Sequence, residues 1–140
     1  LSSIQRIHGQ GGSKQRAKTR GKVVKLLCKD LKWKGHHIYM DRYFTSVPLL
    51  RCLERNGIYG CGTLKCTSIG LPDDITDPPR MARGESIARQ NRNLVATVWQ
   101  DKKKNKVIKH YIYVHFLSTN SNPTGKGSTF RREKNVRFQI

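Results

Sequence analysis

Apolar residues are scattered before Lys22 and periodic after it. Val23, Leu27 and Leu31 recur at i, i+4 and i+8, with Val24 and Cys28 beside them, which predicts a helix over 21–33 with one apolar stripe. Gly35 supplies the stop expected after a helix. His36 to Asp41 then alternates, with Ile38 and Met40 on one face and His37, Tyr39 and Asp41 on the other, as in a short strand. Thr45 or Ser46 is placed to cap a second helix, Pro48 falls in its first turn, and Leu49, Leu50 and Leu53 form its apolar face. Asn56-Gly57 ends that helix, and Ile58 to Leu64 reads as a second strand. The order helix, strand, helix, strand predicts a parallel α/β arrangement, because a strand-helix-strand unit crosses over.

Beyond Cys66 the pattern breaks. Leu71-Pro72-Asp73-Asp74 and Asp77-Pro78-Pro79 make residues 66–92 turn-rich. Asn93 to Gln100 and Val107 to Ser118 are strand-like and flank the polar run Lys102-Lys103-Lys104-Asn105-Lys106, so a hairpin is expected. From Asn120 onward Ser, Asn, Gly, Lys and Arg dominate. Four segments result: a basic flexible arm over 1–20, an α/β segment over 21–65, a hairpin-containing region over 66–119, and a basic disordered tail over 120–140.

Charge adds a partner. The 140 residues hold 28 Lys and Arg against 9 Asp and Glu, a formal charge of +19. Eight of the cations lie in residues 1–29, which contain no acid, and ten lie in 102–140, where Glu133 is the one acid. Such an excess points to a polyanion, nucleic acid first, because each cation on a phosphate releases counterions. No apolar run approaches the roughly 20 residues of a membrane span, and no basic helix carries a broad apolar face, so a membrane partner is not expected. Leu1 opens the chain and no signal-peptide core follows it, as for a chain with an incomplete or artificial N-terminus or for a trimmed mature protein. Cys28, Cys52, Cys61 and Cys66 show no C-x-x-C spacing and are expected to be buried free thiols rather than zinc ligands, even with His36 and His37 nearby.

Asp41 is the acid whose context suggests chemistry. It ends an apolar strand and precedes Tyr43-Phe44 and a capped helix, at the carboxyl edge where open α/β sheets place their sites. Asp30 and Glu54 fall on helices, Asp73, Asp74 and Asp77 in a Pro-rich loop, and Glu85, Asp101 and Glu133 in polar turns. Two-metal phosphodiester chemistry needs several converging carboxylates. A helix-entry or salt-bridging Asp41 therefore stands beside the catalytic one.

The segment GHHIYMDRYFTSVPLLRCLERNGIYGCGTL, Gly35 to Leu64, resembles the catalytic core of piggyBac transposases and piggyBac transposable element-derived proteins. Asp41-Arg42-Tyr43-Phe44-Thr45-Ser46 fits that family's strand-end motif D-[NR]-[FYW]-[FY]-T-S, and Gly62-Thr63-Leu64 fits its later G-T-[LV]. Leu71-Pro72, Arg83-Gly84-Glu85, Trp99-Gln100-Asp101-Lys102-Lys103 and Phe116-Leu117-Ser118-Thr119 follow in the family's order. The resemblance implies a partial ribonuclease H-like (DDE transposase) catalytic core with an insertion-like region from residue 66 and disordered basic ends. It further implies cut-and-paste DNA transposition in the nucleus, with Mg²⁺ held by three aspartates. Asp41 matches the second of these, as a catalytic residue and metal ligand. The first belongs on a strand before Val23, where residues 1–20 have no acid, and the third belongs after Leu117-Ser118-Thr119, where Glu133 does not match. A catalytically incomplete transposase-derived chain is expected, the alternative being a domesticated, non-catalytic DNA- or chromatin-binding protein.

Overall fold

A computed structural model describes residues 15–16, 18–102, 112–120, 130–133 and 136–139. Helix α1 spans 18–27, and residues 15 and 16 are also helical. A 3₁₀ turn follows at Lys29–Leu31, then β1 (His37–Met40), α2 (Val47–Arg55), β2 (Tyr59–Leu64) and a one-turn α3 (Asp73–Thr76). Three further strands, β3 (Ser86–Asn91), β4 (Leu94–Lys102) and β5 (Ile112–Ser118), complete a five-stranded sheet in the order β1-β2-β5-β4-β3. A separate hairpin, β6 (Phe130–Glu133) with β7 (Val136–Gln139), occupies part of the tail expected to be irregular. Among the described residues no helix is long and apolar enough to cross a membrane.

The predicted parallel pairing is found once. β1 and β2 run parallel, His37 opposite Tyr59 and Met40 opposite Gly62, with α2 as the crossover. Every other neighbour in the sheet is antiparallel. The expected hairpin partners β4 and β5 pair directly, while 103–111 lies outside the described residues, as does 1–14 of the basic arm. β3 corrects the reading of 66–92 as turns alone. Its sequence, SIARQN, shows little alternation, and its place is set by a two-residue turn onto β4, where Arg92 takes a φ of 54°. The strands expected in an insertion-like region thus share one sheet with β1 and β2.

The first helix differs from its predicted form in length and in facing. It stops at residue 27 because the chain tightens into the 3₁₀ turn, with Leu31 N–H bonded to the Cys28 carbonyl. Trp33 then turns left-handed at φ 60°. The buried row is Val24 and Cys28, packed with Leu49, Leu53 and Ile58, while Val23 and Leu27 face solvent at 44% and 76% exposure. The adjacent rows are only one residue out of phase, so hydrophobicity alone does not choose between them. Trp33 is also exposed, yet its ring lies across Gly57, where an added Cβ would meet Trp33 Cε3 at 2.5 Å. With a φ of +67°, Gly57 is doubly constrained to be glycine.

Helix α2 joins two clusters. Leu49 and Leu53 enter the α1 cluster, whereas Leu50 enters a larger one with Leu64, Ile75, Val98 and Leu117. Each fully buried Leu contributes about 1.5–3 kcal/mol of transfer free energy. The Ser46 hydroxyl caps the helix by accepting the Leu49 N–H at 3.3 Å, and Pro48 sits in the first turn. This packing fixes α2 on one face of the β1–β2 pair and holds the turn that precedes it.

Candidate functional site

Asp41 follows the last residue of β1, on a turn of five residues that the motif itself builds. The Asp41 carbonyl accepts the N–H of Phe44 at 3.1 Å, the N–H of Thr45 at 3.2 Å and the Thr45 hydroxyl at 2.9 Å. Its Oδ1 accepts the Tyr43 N–H, an Asx turn that fixes the carboxylate against its own backbone. Thr45 is buried and rests on Gly62 of β2, whose missing side chain makes the contact possible. The similar residues at Asp41, Thr45 and Gly62 are therefore one packing unit.

The later blocks lock the same region. Thr119 donates its N–H to the Gly60 carbonyl at 2.8 Å, and its hydroxyl accepts the Gly60 N–H at 2.9 Å. Gly84 N–H bonds to the Gln100 carbonyl and Gln100 N–H to the Glu85 carbonyl, so Arg83-Gly84-Glu85 closes the far end of β4. Their motif character is thus explained by backbone pairing.

Three of the other acids are engaged in the fold. Asp74 pairs with Arg89, Glu54 Oε1 accepts Asn93 Nδ2 at 2.9 Å, and Glu85 Oε2 accepts the Ala82 N–H at 2.6 Å. His37 stacks on Tyr59 at 5.2 Å between ring centroids and contacts Asn120 through Nδ1 at 3.1 Å. Among the described residues no three His, Cys, Asp or Glu side chains group where a metal ion could be held. Mg²⁺ prefers an octahedral oxygen shell, and Asp41, exposed and with Oδ1 already accepting a backbone N–H, does not fit that ion by itself.

The cysteines are free thiols in different settings. Cys28 is buried, and burial pushes its thiol pKa up; burial does the same to half-buried Cys61, against a hydrogen bond from Ser118. Cys66 is exposed, contrary to the expectation of burial, because it follows β2 into the loop.

The cations around Asp41 are the feature that sequence reading missed. Arg20, assigned to a flexible arm, lies on α1 with its guanidinium 4.5 Å from the Tyr43 ring centroid and Nη1 donating to the Tyr43 carbonyl at 3.0 Å. It ties the helix to the turn that carries Asp41. Beside it opens a cavity of about 420 Å³ between α1, the start of α2 and the loop after β2, lined by Lys18, Lys22, Lys25, Arg42 and Lys65. The available signal was the spacing of Lys18, Lys22 and Lys25, three cations on one helical stripe.

The fold is thus a mixed sheet with one parallel pair, a crossover helix and Asp41 just past the carboxyl end of β1. A family model described as Transposase IS4 matches residues 1–137, and the chain belongs to that family. It is similar to the human PiggyBac transposable element-derived protein 5, at 26% identity over 132 residues, covering 89% of this chain and 23% of the relative. Among solved structures it is similar to the piggyBac transposase in a synaptic complex with hairpin DNA, with a TM-score of 0.66 and 21% identity over 78% of this chain and 22% of that one. The chain thus spans about a quarter of the length of these relatives. It is a piggyBac-like, transposase-derived chain with part of the ribonuclease H-like fold that the resemblance implied.

Proposed function

We propose that this chain binds DNA as part of a piggyBac-type transposase-derived protein and does not cut or join strands by itself. The observation that carries this reading is a basic surface beside the turn of Asp41, with no three-ligand cluster among the described residues. Cations of α1, Arg42 and Lys65 line a cavity to which Thr45 and Ser46, just after Asp41, also contribute, and among the described residues no group of three His, Cys, Asp or Glu forms that could hold a metal ion. A similar transposase is described with hairpin DNA, which supports DNA as the polyanion. Asp41 is proposed as one ligand of a divalent-metal site, and the nucleus as the place of action. One exposed carboxylate does not by itself hold Mg²⁺, which takes an octahedral oxygen shell.

Two measurements test the reading. Duplex DNA should bind with little sequence preference and lose affinity steeply between 50 and 200 mM salt, since phosphate contacts carry affinity without reading bases. Incubation with piggyBac-type transposon ends and Mg²⁺ or Mn²⁺ should leave the DNA intact. Nicking that Asp41→Ala abolishes would show that a complete metal site forms, and a salt-insensitive single-site footprint would remove the non-specific reading.

A further inference from the structure

The cavity beside α1 has a composition that its role in the fold does not require. Six cationic residues line it: Lys18, Arg20, Lys22 and Lys25 from the helix, Arg42 from the turn and Lys65 from the exit of β2, their aliphatic stems joining Pro48, Leu49 and Ile69 in a mostly apolar lining. No Asp or Glu lines it. Thr67 and Ser68 add hydroxyls at its rim, which can donate to anionic oxygens. Like charges gathered on three separate segments repel one another in the free protein, and an anion placed among them removes that repulsion. Its volume, about 420 Å³, lies in the range of ligand-binding clefts.

We infer that this cavity is a seat for the phosphodiester backbone, gripping one strand of DNA beside the turn of Asp41; the inference rests on the DNA-binding reading above and names the site. The helix geometry favours an extended polyanion over a single phosphate. Lys18, Lys22 and Lys25 lie at i, i+4 and i+7 on one stripe, about 10 Å long at a rise of 1.5 Å per residue. That length matches about three nucleotide steps of 3.4 Å. Arg20 is held by Tyr43, so it fixes the wall of the cavity, and the remaining five cations are the contact-making set. Because Arg20 anchors α1 to the Asp41 turn, a strand lying along the lysine stripe is held in register with that turn. The arrangement positions DNA without reading its sequence, since no contact to a base edge is needed.

The test uses the 140-residue chain and a 20-base-pair duplex in a binding titration over several salt concentrations. Lys22→Ala/Lys25→Ala should lower the slope of log affinity against log salt by about 2, so that the loss between 50 and 200 mM shrinks about tenfold relative to the unmodified chain. Lys65→Ala, on a different segment, should lower the slope by about 1. Lys32→Ala/Lys34→Ala removes the same charge from an exposed turn outside the cavity and should change the slope by less than half as much. Equal effects of the two double variants, while the unmodified chain binds well, would overturn the cavity assignment and leave general DNA binding intact. No duplex binding by the unmodified chain at 50 mM salt would instead remove the DNA reading itself. Inorganic phosphate at constant ionic strength should not displace the duplex, and displacement would show a pocket for a small free anion, which overturns the proposed seat.

Discussion

Gly62 leaves no room for a side chain against Thr45. An added Cβ would collide with the Thr45 hydroxyl and stand 2.6 Å from the Met40 carbonyl oxygen. Neither neighbour is free to yield, because Thr45 is buried and bonded to Asp41, and Met40 belongs to the β1–β2 ladder. Gly62→Ala is therefore expected to destabilise the chain by about 1–3 kcal/mol, the usual cost of overpacking. A double cycle with Thr45→Ala, followed by urea denaturation, should reveal a favourable coupling above 0.5 kcal/mol (roughly). Additive effects would show that the two residues do not press on each other.

Substitutions at Asp41 should separate its structural task from its chemical one. Asn keeps an oxygen that accepts the Tyr43 N–H, so Asp41→Asn is expected to alter stability by less than about 0.5 kcal/mol. Asp41→Ala loses the Asx turn, at a cost near that of one net hydrogen bond, about 0.5–1.5 kcal/mol. Thermal melts of the two variants check this ordering. The reverse ordering would mean that the carboxylate charge, rather than the turn, matters to the fold.

Arg20 holds α1 through its guanidinium, and a lysine cannot reproduce both contacts. Arg20→Lys keeps the charge but loses the planar group that lies over Tyr43 while donating to its carbonyl. A loss of about 0.5–1 kcal/mol is expected from the ring contact, together with faster hydrogen exchange in residues 18–27. Unchanged exchange in that helix would show that other contacts anchor it.

His115 makes stability depend on pH. Burial lowers its pKa from the ordinary 6.5, against a raising hydrogen bond to the Ile75 carbonyl at 2.8 Å. The unfolded chain then binds the proton more readily than the folded one, so stability rises with pH wherever the two differ. Its contribution is complete above about pH 6.5 and is lost as pH falls below that value toward the lower folded pKa. Denaturant titrations between pH 7 and pH 5 should show this decline. His115→Gln, which keeps a donor for Ile75, should flatten it.

The elements with strong local signals were legible in the sequence. Ser46, Pro48 and Asn56-Gly57 mark α2 by capping chemistry, and Leu49, Leu50 and Leu53 mark its buried face, all as found. The β1–β2 parallel pair followed from the helix between them. What sequence could not supply was phase and pairing. Val23 and Val24 are equally apolar, and only the position of Leu49 and Leu53 decides that Val24 goes inside. β3 owes its existence to β4, a pairing that its own six residues do not announce. At the candidate site, Asp41 was legible from its strand-end motif, whereas Arg20 was not, since its partner Tyr43 is 23 residues away.

The reciprocal bonds between Gly60 and Thr119 join residues 59 positions apart. Closing a loop of that length costs entropy before any contact returns it, so strands paired across it form late compared with local hairpins. The β3–β4 hairpin, with its two-residue turn, can form at once, but β2 gains its second neighbour only when β5 arrives. The edge that presents Asp41 then joins the rest of the sheet only through β2. A change that disturbs the docking of β5 therefore reaches the turn of Asp41, 78 residues before Thr119, by way of β2, the strand that β1 and β5 share.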